Sequence, residues 1–156
     1  MSGCAVMHTT YPYRAVTNNC NCEEFKLSDA RHKVEYRFRA QYAMDHGIVT
    51  NVEIDFINRS NDTLSLDLAA VKISSRNISY QYNNKFVPLP HLTILPSRSD
   101  VVKMTGNELT GKQDWNKIAG EQFKLTLKGI RLGGRLLPER TVTFVPENPK
   151  MRLDNR

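Results

Sequence analysis

Apolar and polar positions alternate most regularly between Lys33 and Tyr42. There Val34, Tyr36, Phe38, Ala40 and Tyr42 hold one parity and Glu35, Arg37, Arg39 and Gln41 the other. A period of two sends alternate side chains to opposite faces of a sheet, so this stretch predicts a strand with one buried and one wet face. Ile48, Val52, Ile54 and Phe56 repeat the pattern around Glu53 and Asp55. A polar run from Asn58 to Thr63 follows, and Leu64, Leu66 and Leu68 then resume the alternation around Ser65 and Asp67. The spacing predicts a hairpin between these two runs, with Asp45-His46-Gly47 turning the first strand onto the second. At Ala69-Ala70 the phase slips and Val71 and Ile73 take over the apolar parity, as a β-bulge would allow.

Ile78, Tyr80 and Tyr82 alternate again before Asn83-Asn84 turns the chain. Pro88, Pro90 and Pro96 interrupt the next stretch, and because proline cannot donate to a ladder, Phe86 to Pro96 predicts an edge strand or a crossing loop. Val101, Val102 and Met104 form a short strand. The polar connection from Gly106 to Gly120 carries Trp115 and Ile118, a pair suited to capping the core from a short helical turn. Phe123, Leu125 and Leu127 make the second cleanest strand, Gly133-Gly134 the last turn, and Thr141 to Val145 the closing strand. About seven to nine short strands with no helix of useful length predict an all-β fold, an antiparallel immunoglobulin-like β-sandwich, with a small barrel as the alternative.

At 156 residues, with 40% apolar and 24% charged content, the chain has the makeup of one globular domain. No run approaches the roughly 18 residues of a membrane-spanning helix. The formal charge of +6 favours anionic partners without choosing among them.

Ser2-Gly3-Cys4 is similar to the small-small-Cys end of a bacterial lipoprotein cleavage site, where the cysteine thiol carries the lipid. That similarity implies lipid attachment at Cys4. The aperiodic, Asn-rich stretch that follows predicts a flexible tether over residues 1–30, ahead of a sandwich over 31–147 and a polar tail over 148–156. A tether of about 25 residues spans roughly 25–30 Å. Further along, a strand, Asn58-Arg-Ser60, the Leu64 to Leu68 alternation, Leu95-Pro96-Ser97 and a terminal strand pair together resemble immunoglobulin-like domains of bacterial envelope lipoproteins. The resemblance runs from Lys33 to about Glu147 and implies a lipid-anchored address in the bacterial cell envelope, on the outer membrane or the periplasmic face. It carries no catalytic or ligand residue onto the chain.

No constellation for catalysis, cofactor or metal stands out. Glu53 and Asp55 share a strand face opposite the apolar parity and read as a solvated charged face. His8, His32, His46 and His91 are single and read as loop histidines, and Gly129, Gly133 and Gly134 read as turn glycines. Cys20 and Cys22 are open to three readings: free thiols, a strained pair, or soft-metal ligands. Arg37 and Arg39 on one strand face, and Lys128, Arg131, Arg135 and Arg140 around the last turn, allow a basic patch. Tyr36, Phe38 and Tyr42 lie on the parity opposite the two arginines, so the aromatics that base stacking needs are committed to the core. The chain therefore reads as a non-enzymatic, membrane-tethered envelope lipoprotein that binds an extracytoplasmic protein. The alternative is a cytosolic basic small-barrel module that binds nucleic acid, a partner the first reading does not expect. Asn58-Arg-Ser60, Asn61-Asp-Thr63 and Asn77-Ile-Ser79 also match the glycosylation triplet.

Overall fold

The regular alternation around Phe38 and Ile54 becomes two long paired strands, β3 (Val34–Ala43) and β4 (Val49–Asn58). In their register Tyr36 faces Phe56, Phe38 faces Ile54 and Ala40 faces Val52, all buried, while Arg37 faces Asp55 and Arg39 faces Glu53 on the outer side. This computed structural model describes residues 10–16, 24–43, 49–76, 78–82, 90–108 and 121–146. The predicted turn at 45–47 and the Trp115–Ile118 cap lie outside the described residues.

The remaining strands are β1 (Thr10–Ala15), β2 (Phe25–Asp29), β5 (Leu64–Asp67), β6 (Val71–Ser74), β7 (Ile78–Tyr82), β8 (His91–Ile94), β9 (Ser99–Glu108), β10 (Phe123–Leu127), β11 (Arg131–Leu132), β12 (Arg135–Leu136) and β13 (Arg140–Pro146). All pairings are antiparallel. One layer carries β2, β3, β4, β9 and β7, and the opposing one β6, β10 and β13 together with the run β12-β11-β5-β8. β1 joins the two, its first half pairing with β3 and its second half with β13. The fold is thus an antiparallel β-sandwich. Its sheets end on β7, β6, β12 and β8, with β2 a further edge beside β3, so no closed barrel forms among the described residues and the barrel alternative is set aside.

The described residues hold thirteen strand segments, more than the seven to nine expected, because long runs are broken into collinear pieces. Between β5 and β6 the phase slip at Ala69-Ala70 is absorbed by a 3-10 turn, Leu68–Ala70, where a bulge was expected. The extra residues bend the strand and keep both Leu68 and Val71 buried. Opposite this bend, Gly129 (φ 84°) breaks β10 from β11, and Lys128 N–H donates to Ala70 O (2.9 Å) across the gap. Gly133 (φ 56°) and Gly134 (φ 80°) form the two-residue turn between β11 and β12, where consecutive positive φ values match strand twist.

Two expectations about connection change. β4 and β5 are not a hairpin. β4 pairs with β3 and β9, β5 with β8 and β11, and the polar run from Asn58 to Thr63 carries the chain from one layer to the other. Alternation alone cannot distinguish a hairpin from such a corner, since both need a polar turn between half-buried strands. The stretch read as a tether also contains two strands. β1 brings Tyr13 and Ala15 to 2% and 0% exposure, and β2 pairs with β3 from Phe25 to Asp29. Short strands at the chain's start gave too few alternations for a period to show.

The layers meet through aromatic rings. Phe144 of β13 stacks on Phe123 of β10 (centroids 5.0 Å apart) and touches Phe38 of β3 (6.0 Å) and Phe25 of β2 (6.4 Å). Tyr13 closes edge-on against Phe123 at 5.0 Å, and its hydroxyl donates to Glu121 O (2.9 Å). On β9, Gly106 leaves room for the Tyr80 ring of β7, which would lie 2.6 Å from an added Cβ.

Candidate functional site

Asn58 ends β4 and is 1% exposed. Its amide nitrogen donates to Asp62 O (2.7 Å), Ile94 O (3.1 Å) and Leu95 O (3.3 Å), and its amide oxygen accepts from Ser60 N–H (3.0 Å) and Ser60 O–H (2.6 Å). The backbone completes the corner, with Asn58 N–H donating to Arg98 O and Arg59 N–H to Lys33 O, both at 2.9 Å. Leu95-Pro96-Ser97-Arg98 is a β-turn closed by Arg98 N–H to Leu95 O (3.2 Å). Pro96 is its second residue and Ser97 takes φ 61° at the third, the arrangement of a type II turn. The Asn-x-Ser and Leu-Pro-Ser segments therefore meet in space. Asn58, with every amide group engaged and buried, is closed to glycosylation in the folded protein, whereas Asn61 is exposed.

That corner sets the phase of β8. Leu68 N–H donates to Pro90 O (2.8 Å), which makes Leu68 and Pro90 a hydrogen-bonded pair. Antiparallel ladders alternate, so Leu66 with Leu92 and Leu64 with Ile94 share the next bonds. The backbone N–H and C=O of His91 and Thr93 consequently point away from β5, toward a side where no described strand pairs. Leu92 and Ile94 are buried beneath, and Leu95 just beyond is 58% exposed. Phe86 to Pro96 was expected to supply an edge, and its described part does.

The outer face of β3, β4 and β9 carries the densest charge. Arg37 Nε donates to Glu35 Oε1 at 2.6 Å, and Arg39 lies 3.3 Å from Glu24 and 3.8 Å from Glu53, which also meets Lys103 at 3.5 Å. Glu24, Arg37, Arg39, Glu53, Asp55 and Val101 surround a cavity of about 120 Å³. The predicted solvated face is in fact half-buried and paired with itself. Hydrogen bonding to Arg37, outweighing burial, lowers the Glu35 carboxyl. Asp55 differs: its Oδ1 is buried without a hydrogen-bond partner, and burial outweighs the attraction of Arg37, so its carboxyl is raised. A raised native value means that the folded state holds the proton more tightly, so stability falls as pH rises through that window. Asp55→Asn is expected to raise the urea midpoint at neutral pH and leave it unchanged below the carboxylate range. An equal shift at both pH values would show that ionisation is not the cause.

The described histidines pair with single carboxylates. His32 Nδ1 lies 2.8 Å from Asp29 Oδ2 in the turn between β2 and β3, and Arg140 approaches the same oxygen at 3.8 Å. Burial raises the Asp29 carboxyl, but His32 and Arg140 together bring it below the ordinary value, a contribution to stability lost as pH falls through the acid range. Arg140 thereby leaves the patch that sequence assigned to it. His91 begins β8 instead of lying in a loop, and its Nδ1 is 2.6 Å from Asp67 of β5 in an exposed cross-strand pair. Among the described residues no group of three His, Cys, Asp or Glu is arranged to hold a metal ion. A groove of about 530 Å³ at the end of β6 and β10 holds the Ser75 hydroxyl, which donates to Glu121 Oε1 (2.7 Å) and ties the two strands together. Cys4, Cys20 and Cys22 lie outside the described residues. Neither a known protein family nor a curated protein matches the chain.

Proposed function

We propose that this protein is a non-enzymatic binding domain, held at a bacterial envelope membrane by a lipid on Cys4, that captures an extended segment of an extracytoplasmic protein along β8. The observation that carries the reading is the open side of β8. His91 and Thr93 offer two N–H donors and two C=O acceptors there, and strand addition satisfies such groups with main-chain bonds from a partner. Pro90 and Pro96 limit the template to this short stretch, which suits a brief contact and resists edge-to-edge aggregation. Leu95 supplies apolar area beside it. The charged face of β3 and β4 is, apart from the buried Asp55 Oδ1, engaged in its own ion pairs and recommends itself less.

The immunoglobulin-like lipoprotein resemblance agrees with the meeting of Asn58 and Leu95, which belong to two of the segments that carry it. Because β1 begins at Thr10, five residues separate Cys4 from the first strand, and the six steps between them reach about 20 Å at full extension. The domain is then held closer to its membrane than a 25-residue tether would hold it.

Thr93→Pro tests the edge. The N–H it removes faces outward, so the β5–β8 ladder keeps its bonds while the ring blocks a docking strand. Selection of displayed linear peptides on the native protein is expected to yield extended binders whose affinity falls at least about tenfold on Thr93→Pro, with little change in Tm. Binders that tolerate the proline would remove the reading.

A further inference from the structure

We infer that the end of the sandwich farthest from Thr10 is a docking face for anionic phospholipid. Five cations converge there from four separate parts of the chain. Lys33, Arg59 and Arg98 lie at the ends of β3, β4 and β9, which are neighbours in the sheet, and the Asn58–Arg98 and Arg59–Lys33 backbone bonds fix their order. Strands about 4.8 Å apart set these residues in a row roughly 10 Å across. Arg131 and Arg135 come from the opposing layer, on the β11–β12 hairpin, whose Gly133 N–H donates to Thr63 O (2.9 Å) and so holds it at the same end. All five are exposed. Arg59 approaches Glu35 at 3.6 Å; the other four have no ion pair among the described residues. The acids at this end include Glu35, which Arg59 approaches, Asp29, which His32 and Arg140 hold, Glu139, Asp62 and Asp100, whose carboxylate accepts from Val101 N–H (2.9 Å).

Apolar exposure is concentrated at the same place. Leu136 (61%) and Leu95 (58%) are the most exposed of the large apolar side chains described. Leu136 pairs with Arg131, and Leu95 opens the turn that ends at Arg98. Guanidinium groups bind phosphate through paired N–H donors, and leucines between them enter the headgroup and acyl boundary. A single-stranded nucleic acid would want aromatic platforms, and no exposed aromatic ring stands among the described residues at this end.

The inference does not depend on Cys4 or on β8. β4 spans ten residues, so about 30 Å separates this face from the Thr10 end, more than the reach from Cys4. An upright domain anchored at Cys4 therefore presents the face to a second surface.

The full chain with Cys4→Ser, which cannot carry the lipid, would be sedimented with vesicles of phosphatidylglycerol and phosphatidylcholine, and with phosphatidylcholine alone, at about 0.1 M salt. Binding is expected to favour the anionic vesicles at least about tenfold. The double variant Arg59→Gln, Arg98→Gln is expected to weaken it about 25-fold, at about fivefold per cation. Leu95→Ser should weaken it several-fold with charge unchanged. Lys72→Gln with Lys124→Gln removes the same charge from exposed positions on β6 and β10 and should leave binding unchanged. Each of three outcomes would overturn the inference: equal binding to both vesicles, a loss in the Lys72, Lys124 pair as large as in the arginine pair, or indifference to Leu95→Ser. Circular dichroism melts of each variant separate lost binding from lost fold.

Discussion

Phe144→Ala is expected to lower the free energy of unfolding by about 4 kcal/mol, the largest single-residue effect in the molecule. The ring is 2% exposed, stacks on Phe123 and reaches Phe38 and Phe25 in the opposing layer. Its removal leaves a cavity bounded by strands from both sheets, and backbone ladders on each side prevent those walls from closing in. Phe144→Leu keeps most of the volume and should cost about half as much. In urea the midpoint should fall while the slope stays constant, since the area exposed on unfolding changes little. A loss below about 1.5 kcal/mol would mean that the layers are not joined through this ring.

The second large effect belongs to the corner. Asn58→Ala is expected to cost about 3 kcal/mol, a fall in Tm of roughly 10 °C. The amide satisfies the carbonyls of Asp62, Ile94 and Leu95 as well as two donors of Ser60, and alanine leaves the buried Ile94 carbonyl and Ser60 donors without this partner. Asn58→Asp should be at least as damaging at neutral pH, because a carboxylate would face three carbonyl oxygens with no proton to share. Ser60→Ala removes one hydroxyl and should cost about 1 kcal/mol. Asn61→Ala, three residues along and exposed, should fall within about 0.5 kcal/mol of the parent. If Asn58→Ala behaved like Asn61→Ala, the corner would not be what fixes the turn beneath β8.

Much of the fold was legible because burial on one face imposes alternation. Phe38 with Arg37, Ile54 with Asp55 and Leu125 with Lys124 all lie on the faces their parity predicts. What alternation cannot encode is which strand lies beside which. The hairpin expected between β4 and β5 became a crossing between layers because Asn58 bonds to the β8–β9 turn at Leu95 O, a contact across 37 residues of sequence. The same blindness hid the basic end. Lys33, Arg59 and Arg98 are scattered in sequence, and only the adjacency of β3, β4 and β9 places them together. Arg140, near Arg135 in sequence, turns instead to Asp29. Pro96 marks the second residue of a β-turn in the sequence, but Ser97 at the third position gives no sign of the positive φ that makes the turn type II.

Amide hydrogen exchange resolved to single residues in the free protein, and again with a selected peptide bound, tests the binding reading most directly. The account expects the amides of His91 and Thr93 to exchange rapidly in the free protein while those of Leu66, Leu92 and Ile94 are protected. The peptide should then protect His91 and Thr93. Strong protection of both amides before any peptide is added, or no change on binding, would show that the open side of β8 is not where this protein meets its partner.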